Sequence, residues 1–551
     1  MKILLLVSSF NGLTQRVWCS LREQGHDVGV ELAPVFETPE ALTAAVEAAD
    51  PDLVLCPFLK DRVPPAVHDR WPTVVLHPGP VGDRGPSSLD HAILERRDRW
   101  GVTALSAVEQ MDAGPVWATA TFDMPGATLA KGALYNSLVA DAALTCVQEV
   151  VRKVADGLGP VPAEDHPRSV ASASELPMLR RERFRLEWSE PAEDLARRVA
   201  AADGAPGAPA TVGDRELCLF DAVATDDDFG APPGTVVGRN LDAVAIATGR
   251  GTLWVGYAAE LGIRRGVKLP AATVLGGDAP FRRAPDAFAE TVYVRDGDVG
   301  HLTIRSYNGA MHTEQCRRLT TAVEKALIED TRVLVLNGTE HAFSNGIHLG
   351  VIDAAPDPAA EAWENICAID ELCLAIASAE QLTVAAFTAN AGAGGVMAGL
   401  CADVTLARDG VVLNPYYDMG IFGSELHTWS VAGRVGAQRA ERLLSRKLPL
   451  SVAEAARIGM ISAVGPREWG AFQEWLAAAA RGYAEPATLG WMLAQKAERR
   501  ARSKPLSYYQ TIELAEMARD FFDDRNGFAA RRKAFLRKTR PAETPARLRF
   551  A

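Results

Sequence analysis

The first 120 residues alternate short apolar runs with segments in which apolar side chains recur every three or four positions. The first pattern is typical of buried strands and the second of amphipathic helices. We predict four strands, at Lys2–Val7, Val28–Leu32, Leu53–Cys56 and Val74–His77, and two helices, at Thr14–Gln24 and Pro39–Ala49. Strands that alternate with helices predict a Rossmann-like α/β domain, in which helices cover a parallel sheet.

Two segments interrupt this rhythm. Residues 158–185 are rich in Pro, Ser, Arg and Glu and are predicted to be a linker, and residues 276–290 are predicted to be a second one. Between them, Gly and Pro separate short strand-like runs at Glu216–Phe220, Gly234–Val237, Ala243–Thr248 and Thr252–Tyr257. This pattern favours a small, mostly β, OB-like module.

The alternation returns from Val292, with strands predicted at Val333–Asn337 and Leu382–Phe387, and the chain reads as helical after about residue 466. We therefore predict an α/β protein with three domains, which cover residues 1–165, 186–280 and 290–551, the last with a helical tail. Three domains also suit a chain of 551 residues.

Composition narrows the function. A net charge of -12 disfavours nucleic acid as the main partner, because phosphate binding needs a basic surface. The apolar runs are too short to span a membrane, and the polar residues that follow the first run favour a buried strand over a signal peptide. The eight cysteines show no CxxC spacing, so we expect no metal site and reduced thiols in a cytoplasmic enzyme.

His77 is the first candidate for chemistry, because it ends a predicted strand and precedes a turn rich in Gly and Pro. Parallel sheets place ligand sites at the carboxyl ends of their strands. A lone His there is more often a hydrogen-bonded core residue, but Asp112 lies in a second turn that could face the same cleft. A His paired with an Asp can shuttle a proton near neutral pH, so the two form a candidate general acid/base pair.

Residues 1–150 resemble the formyltransferases that use 10-formyltetrahydrofolate. The matching positions, in the family's order, are His77, Arg84-Gly85 and Asp112-Ala113-Gly114. The segment 186–257 resembles the small C-terminal domain of methionyl-tRNA formyltransferase, through Leu186–Ala192 and Pro233–Val237. The resemblance implies that His77 is the general acid/base, that Asp112 orients it, and that Asp83, Arg84 and Gly85 belong to a folate-binding loop.

One departure from that pattern affects the mechanism. The signature Asn of the family falls on Val75. Either another group polarises the formyl oxygen, for which Asn11 is the candidate, or the step differs from formyl transfer to an amine. The competing interpretation of the segment Arg84–Pro86 is a plain turn, since Gly and Pro are common in turns.

Residues 292–465 resemble the crotonase superfamily of enoyl-CoA hydratases and isomerases. The matching segments are Tyr307–Met311, Asn337–Leu349, Asn390–Asp403 and Leu413–Tyr416. The resemblance implies that the backbone N–H groups of Ile347 and Gly394 form an oxyanion hole for a thioester oxygen. It also implies coenzyme A contacts, which we assign to Ser344, Asn345, Gly346, His348 and Gly395. Gly394 permits a close backbone approach, and the alternative is that it serves only tight helix packing.

The two catalytic glutamates of hydratases fall on Met397 and Tyr416, so ordinary hydratase activity is not expected. We predict instead that Tyr416 and Glu425 form a proton-transfer pair with a raised carboxyl pKa. The alternative for Glu425 is a surface residue at a helix start. His348 replaces an acidic position of the family, and its alternative role is structural.

A formyltransferase module followed by a crotonase module resembles the HypX/HoxX family of hydrogenase maturation factors over nearly the whole chain. The stretches that carry this resemblance are Ser9–Arg16, His77–Ser88, Ser344–Leu349, Ala389–Val396 and Gly423–Glu425. It implies synthesis of the CO ligand of [NiFe]-hydrogenase from 10-formyltetrahydrofolate and coenzyme A, with hydrogenase assembly proteins as expected partners. Two alternatives remain, a formyltransferase for amines fused to an unrelated crotonase, and a non-catalytic protein that binds coenzyme A and folate.

Overall fold

The computed structural model describes residues 1–126, 129–166, 174–262 and 266–550. The chain forms two compact units, one of Met1–Phe288 with Arg540–Ala551 and the other of Ala289–Thr539. Within the predicted linker 158–185, residues 167–173 lie outside the described residues.

The first unit begins with a six-stranded sheet in the order β2-β1-β3-β4-β5-β6. Its strands are β1 (Lys2–Val7), β2 (Asp27–Leu32), β3 (Leu53–Cys56), β4 (Thr73–His77), β5 (Arg99–Ser106) and β6 (Val116–Asp123). Its helices are α1 (Gly12–Glu23), α2 (Pro39–Ala49), α3 (Pro65–His68), α4 (Ser88–Leu94), α5 (Lys131–Leu134) and α6 (Ala140–Ala155). The four predicted strands and both predicted helices are confirmed.

The parallel pairing predicted for the first four strands is confirmed, and one of the two further strands, β5, runs in the opposite direction. β1 to β4 pair in parallel, whereas β5 runs antiparallel to both β4 and β6. The connection from β5 to β6 spans residues 107–115 only. A parallel crossover needs about a dozen residues or more, so this short connection makes an antiparallel pair.

The last residues of the chain pack on the edge strand β2. The Thr544 hydroxyl donates a hydrogen bond of 2.6 Å to Glu31 Oε2, and Arg549 Nε lies 3.0 Å from Glu31 Oε1. The domain predicted at 290–551 included this tail, but its contacts place residues 540–551 with the first unit. Sequence patterns could not predict that residues 540–551 pack on the first unit, because this packing depends on contacts between the two ends of the chain.

The second half of the first unit is an antiparallel sheet in the order β7-β8-β11-β10-β9, with β12 paired to β11. Its strands are β7 (Ala208–Val212), β8 (Arg215–Thr225), β9 (Val236–Asn240), β10 (Ala243–Ala247), β11 (Thr252–Glu260) and β12 (Leu269–Pro270). Helices α7 (Ala192–Ala202) and α8 (Ala271–Leu275) pack against it. This agrees with the β-rich module that the Gly and Pro spacing predicts.

The second unit has a main sheet in the order β13-β14-β16-β18-β20-β23, parallel except for the β13–β14 hairpin. These strands are β13 (Thr291–Asp296), β14 (Val299–Ile304), β16 (Val333–Asn337), β18 (Leu382–Phe387), β20 (Val404–Arg408) and β23 (Ala463–Gly465). The short strands are β15 (Ala310–Met311), β17 (Gly346–Ile347), β19 (Ala391–Gly392), β21 (Val412–Asn414) and β22 (Leu450–Ser451).

Eleven helices complete the described part of the second unit. They are α9 (Thr313–Leu327), α10 (Leu349–Ala354), α11 (Pro358–Ser378), α12 (Gly394–Leu400), α13 (His427–Val435), α14 (Ala437–Arg446), α15 (Val452–Arg457), α16 (Trp469–Ala484), α17 (Pro486–Arg502), α18 (Leu506–Phe522) and α19 (Phe528–Arg537). Helices α9, α11 and α18 share one apolar core, which brings residues distant in sequence together.

Candidate functional site

His77 ends strand β4 and is buried between two carboxylates. Its Nε2 lies 2.7 Å from Asp83 Oδ2, and its Nδ1 lies 3.4 Å from Asp112 Oδ2. The Asp83 and Asp112 side chains are 1% and 10% exposed, so solvent screens these contacts weakly. Each ring nitrogen of His77 therefore faces a carboxylate, which would stabilise the ring after it has taken up a proton.

The turn after β4 has a local reason for its shape. A side chain at Gly79 would overlap the carboxylate of Asp83 and the ring of His77, so only glycine leaves the two in contact. Thr103 Oγ1 on the neighbouring strand donates a hydrogen bond of 2.8 Å to the Gly79 carbonyl. Asp112 adopts a left-handed backbone (φ 55°) and accepts a 3.2 Å hydrogen bond from the Gly85 N–H.

The loop with Arg84 and Gly85 is paired to the segment that we predicted as a linker. Arg84 N donates to the Ser174 carbonyl at 3.2 Å, and Leu176 N donates to the Arg84 carbonyl at 3.1 Å. A Cβ on Gly85 would overlap the Leu176 carbonyl. Residues 174–176 therefore fix this loop by backbone hydrogen bonds, whereas the competing interpretation of a plain turn needs no such partner.

Asn11 and Val75 have structural contacts of their own. The Asn11 side chain caps helix α1, because its oxygen accepts hydrogen bonds from the Thr14 N–H (3.0 Å) and hydroxyl (3.1 Å). Val75 packs on the apolar cluster of β1 and β3. The contacts of Asn11 therefore do not add support to the idea that it replaces the family's signature Asn.

In the second unit, two glycine turns pack closely on each other. A side chain on Gly395 would overlap the Ser344 carbonyl, and one on Gly346 would lie 3.2 Å from the Gly394 nitrogen. The Gly346 N–H donates a hydrogen bond of 3.1 Å to the Ser344 hydroxyl oxygen. Ala393, just before the second turn, has φ 46° and ψ -126°, a conformation that costs an L-residue energy and that often marks a functional site.

Glu425 faces this pair of turns and is 2% exposed, which excludes the alternative of a surface residue. A Cβ on Gly394 would overlap Glu425 Oε1, so this oxygen lies directly against the turn that opens α12. The other oxygen, Oε2, accepts hydrogen bonds from the Tyr417 hydroxyl at 2.6 Å and the Ser424 N–H at 3.0 Å. Burial raises the pKa of the Glu425 carboxyl to about 7, although the Tyr417 hydrogen bond opposes this rise.

Further titratable groups surround Glu425. Asp370 Oδ1 accepts hydrogen bonds from the Glu425 N–H at 2.7 Å and from the Ser424 hydroxyl at 2.9 Å. Burial, reinforced by the Glu425 charge, raises the pKa of Asp370 to about 8. His427 Nδ1 lies 3.6 Å from Glu513 Oε1. Burial alone lowers the pKa of His427, but the Glu513 carboxylate outweighs it and the pKa is raised.

The remaining predicted residues lie beside these turns with other partners. Tyr416 donates to Asn414 Oδ1 at 3.3 Å. The neighbouring Tyr417 donates to Glu425 Oε2 at 2.6 Å, so it joins Tyr416 as a candidate partner of Glu425. His348 Nδ1 accepts a hydrogen bond of 3.1 Å from the Val351 N–H and so caps helix α10. This contact fits the structural role that was the alternative to coenzyme A binding for His348. The Asn345 amide donates to the Asn308 carbonyl at 2.9 Å, and Ile347 lies in β17 beside Met311 of β15.

Sequence reasoning missed three members of this arrangement. Asp83 was expected to shape a loop, and it is the nearer carboxylate to His77. Asp370 interrupts the apolar run of helix α11, a signal that could have identified it as a buried acid. Glu513 gives no such signal, because its helix α18 carries charged residues along its length.

Two negative findings concern the part of the chain that the structure describes. No group of three or more His, Cys, Asp and Glu side chains there is placed to hold a metal ion. No helix in the same residues combines the length and the apolar character that a bilayer crossing requires. The eight cysteines are free thiols.

Comparisons with known proteins agree with the two units. Residues 178–268 match the family model of the formyl transferase C-terminal domain, and residues 299–541 match that of enoyl-CoA hydratase/isomerase. The hydrogenase maturation factor HoxX of Bradyrhizobium diazoefficiens is 39% identical over 560 aligned positions, which cover 99% of this chain and 96% of that protein. Methionyl-tRNA formyltransferase of Roseiflexus castenholzii is 32% identical over 203 positions, 35% of this chain and 63% of the relative.

Among solved structures, HypX from Aquifex aeolicus in complex with tetrahydrofolic acid superimposes with a TM-score of 0.92. The two sequences are 34% identical, and the match covers 100% of this chain and 98% of the other. Both modules of this chain, in the same order, are therefore similar to the two modules of that HypX structure.

Proposed function

The chain belongs to the HypX/HoxX family of hydrogenase maturation factors, and from this premise we propose that it makes carbon monoxide for the hydrogenase iron in two steps. The first unit moves the formyl group of 10-formyltetrahydrofolate to the thiol of coenzyme A. The second unit converts formyl-CoA to CO and coenzyme A. In this proposal 10-formyltetrahydrofolate and coenzyme A are substrates. The proposed partners are the proteins that assemble the hydrogenase, and the proposed location is the cytoplasm.

His77 is the proposed acid/base of the first step. The thiol of coenzyme A loses its proton as its sulfur bonds to the formyl carbon, and the carbon–nitrogen bond of the folate breaks as the nitrogen takes up a proton. One histidine between Asp83 and Asp112 can carry that proton from sulfur to nitrogen. Asp83 Oδ1 is buried without a hydrogen-bond partner among the described residues, so a polar donor of the substrate would fit there.

Glu425 is the proposed base of the second step. The formyl carbon loses its proton to the carboxylate, its carbon–hydrogen electrons remain on carbon as the lone pair of CO, and the carbon–sulfur bond breaks with its electrons on sulfur. The thiolate then takes up a proton, which Glu425 can return. In this proposal the N–H groups of Ile347 and Gly394 hold the thioester oxygen, as in the crotonase pattern.

The observation that carries this proposal is the position of the Glu425 carboxylate. One of its oxygens lies against the Gly394 turn, where crotonases bind a thioester, and its pKa is raised to about 7. A general base works best when its pKa is near the operating pH, so a buried glutamate with this value suits proton removal at neutral pH. A protein that only binds coenzyme A has no need of such a group.

The test is CO release from the purified full-length protein, with reduced haemoglobin as the trap. The protein is mixed with 10-formyltetrahydrofolate, with and without coenzyme A, and separately with formyl-CoA. We expect folate-dependent CO only when coenzyme A is present, and His77→Ala should abolish it while CO from formyl-CoA persists. Formyl-CoA that accumulates without CO would restrict the activity to the first step, and the absence of both products would favour the binding protein.

A further inference from the structure

Asp370 is a buried acid to which the two-step proposal gives no task. It lies in the middle of helix α11 and is 0% exposed. Its Oδ1 accepts hydrogen bonds from the N–H of Glu425 and the hydroxyl of Ser424, at 2.7 and 2.9 Å. Its Oδ2 is buried and has no hydrogen-bond partner among the described residues.

These hydrogen bonds hold the segment that carries the proposed base. Glu425 and Leu426 both have positive φ values, 59° and 55°, which are costly for residues with side chains. A side-chain acceptor on the Glu425 N–H offsets part of that cost and fixes the direction of its carboxylate toward Gly394. Asp370 therefore acts on the reaction through the position of Glu425, and not by contact with the substrate.

The protonation of Asp370 follows from the groups that face it. Titratable groups that face Asp370 or Glu425 lie on α11, on α9, at the end of α12, on the loop before α13, at the start of α13 and on α18. They are Cys316, Cys367, Cys373, Cys401, Tyr417, Glu425, His427 and Glu513. The histidine is the one cation in this set, and it is paired with Glu513. No cation of the set remains to balance charges on both Asp370 and Glu425.

The hydrogen bonds decide which of the two acids is neutral. Two donors reach Glu425 Oε2, so a negative charge on this residue is stabilised. The two donors to Asp370 both reach Oδ1, which leaves Oδ2 as the oxygen on which a negative charge would be buried without a donor. The raised pKa of Asp370, to about 8, agrees with this assignment.

We infer that Asp370 is a positioning residue that works as a neutral carboxylic acid, protonated on Oδ2, and holds the charged Glu425 in place through Oδ1. The inference rests on the proposed function for its effect on CO release, but the protonation state stands independently of it. A neutral acid beside the base allows Glu425 to be ionised without a second buried negative charge next to it.

The experiment compares Asp370→Asn with Asp370→Ala in the full-length protein, with Glu371→Gln as the matched control on the exposed side of the same helix. Asparagine keeps a neutral group and the acceptor oxygen, whereas alanine removes both. We expect Asp370→Asn to release CO from formyl-CoA within about threefold of the wild-type rate at pH 7, and Asp370→Ala to lose at least about tenfold.

Two readouts separate this role from simple packing. Between pH 7 and 9 the wild-type rate should decline as Asp370 ionises beside Glu425, and this decline should vanish in Asp370→Asn while it persists in Glu371→Gln. Infrared difference spectra at pH 7 should show a protonated-carboxyl band that is missing in Asp370→Asn and present in Glu371→Gln. A folded Asp370→Asn as slow as Asp370→Ala, or an unchanged carboxyl band, would overturn the inference. If the wild type releases no CO, the proposed function fails, and the infrared band alone decides the state of Asp370.

Discussion

Glu425→Gln should reduce the activity of the second unit and stabilise its fold at the same time. Glutamine has nearly the same shape as glutamate and keeps an oxygen that can accept from Tyr417 and Ser424. It cannot take up the formyl proton. A general base typically contributes about 10²- to 10⁴-fold, so we expect CO release from formyl-CoA to fall by that factor.

The opposite effect on stability follows from the raised pKa. A carboxyl whose pKa rises from 4.5 in the unfolded chain to about 7 in the fold binds protons more tightly when folded. Stability therefore falls as the pH rises through that window, and the cost at pH 7 is up to about 3 kcal/mol. Glutamine carries no such cost, so the variant should gain a few degrees in Tm at pH 7 and nothing near pH 4.

The assay pairs CO release with calorimetry across pH 4 to 8, and the exposed Glu371→Gln serves as control. In the wild type, CO release should rise with pH up to about pH 7 as Glu425 ionises, before the decline that ionisation of Asp370 is expected to cause at higher pH. This rise should be absent in Glu425→Gln. Wild-type rates in a folded Glu425→Gln would remove this residue from the mechanism, and a lower Tm at pH 7 would show that the buried carboxyl is not destabilising.

Three other predictions test contacts of both units. Asp83→Asn should slow formyl-CoA formation by about tenfold or more, and Asp112→Asn should slow it less, because Asp83 is nearer to the His77 ring. Equal losses in the two variants would contradict this ranking. Tyr417→Phe should slow CO release by about tenfold and shift its pH rise upward, since Glu425 loses a donor, whereas Tyr416→Phe should not shift it. Thr544→Val should lower the stability of the first unit by about 1–3 kcal/mol in urea unfolding, and unchanged stability would show that the tail is not needed.

The fold was largely predictable because its main strands are continuous apolar runs bounded by turns. The strands Leu53–Cys56, Val333–Asn337 and Leu382–Phe387 have in the structure the bounds that the pattern predicts. The two-residue strands could not be predicted, since two residues carry no periodicity. One of them, Gly346–Ile347, lies in the middle of the second site, so its role there came from the family resemblance alone.

The sites were predictable only in part. His77 and Asp112 were candidates from their place in strand and turn, whereas Gly394 was a candidate from the crotonase resemblance. The hydrogen bond from Tyr417 to Glu425 was not predicted, because neighbouring residues in a loop point in different directions and a sequence pattern does not show which one contacts a given side chain. Asp370 lies 55 positions from Glu425, which it contacts, and Glu513 lies 85 positions from Thr428, which it contacts. Only the fold brings these residues together.

The missing hydratase glutamates and the buried Glu425 have one common chemical consequence. Hydratases use their two glutamates to activate water, and here those positions hold Met397, which is fully buried, and Tyr416. A thioester of formate is open to attack by water, which would give formate and not CO. Glu425 and Tyr417 are 2% and 8% exposed, so the proposed base acts where little water can reach. A base in a dry site favours loss of the formyl proton over hydrolysis, and this agrees with a site altered from hydration toward release of CO.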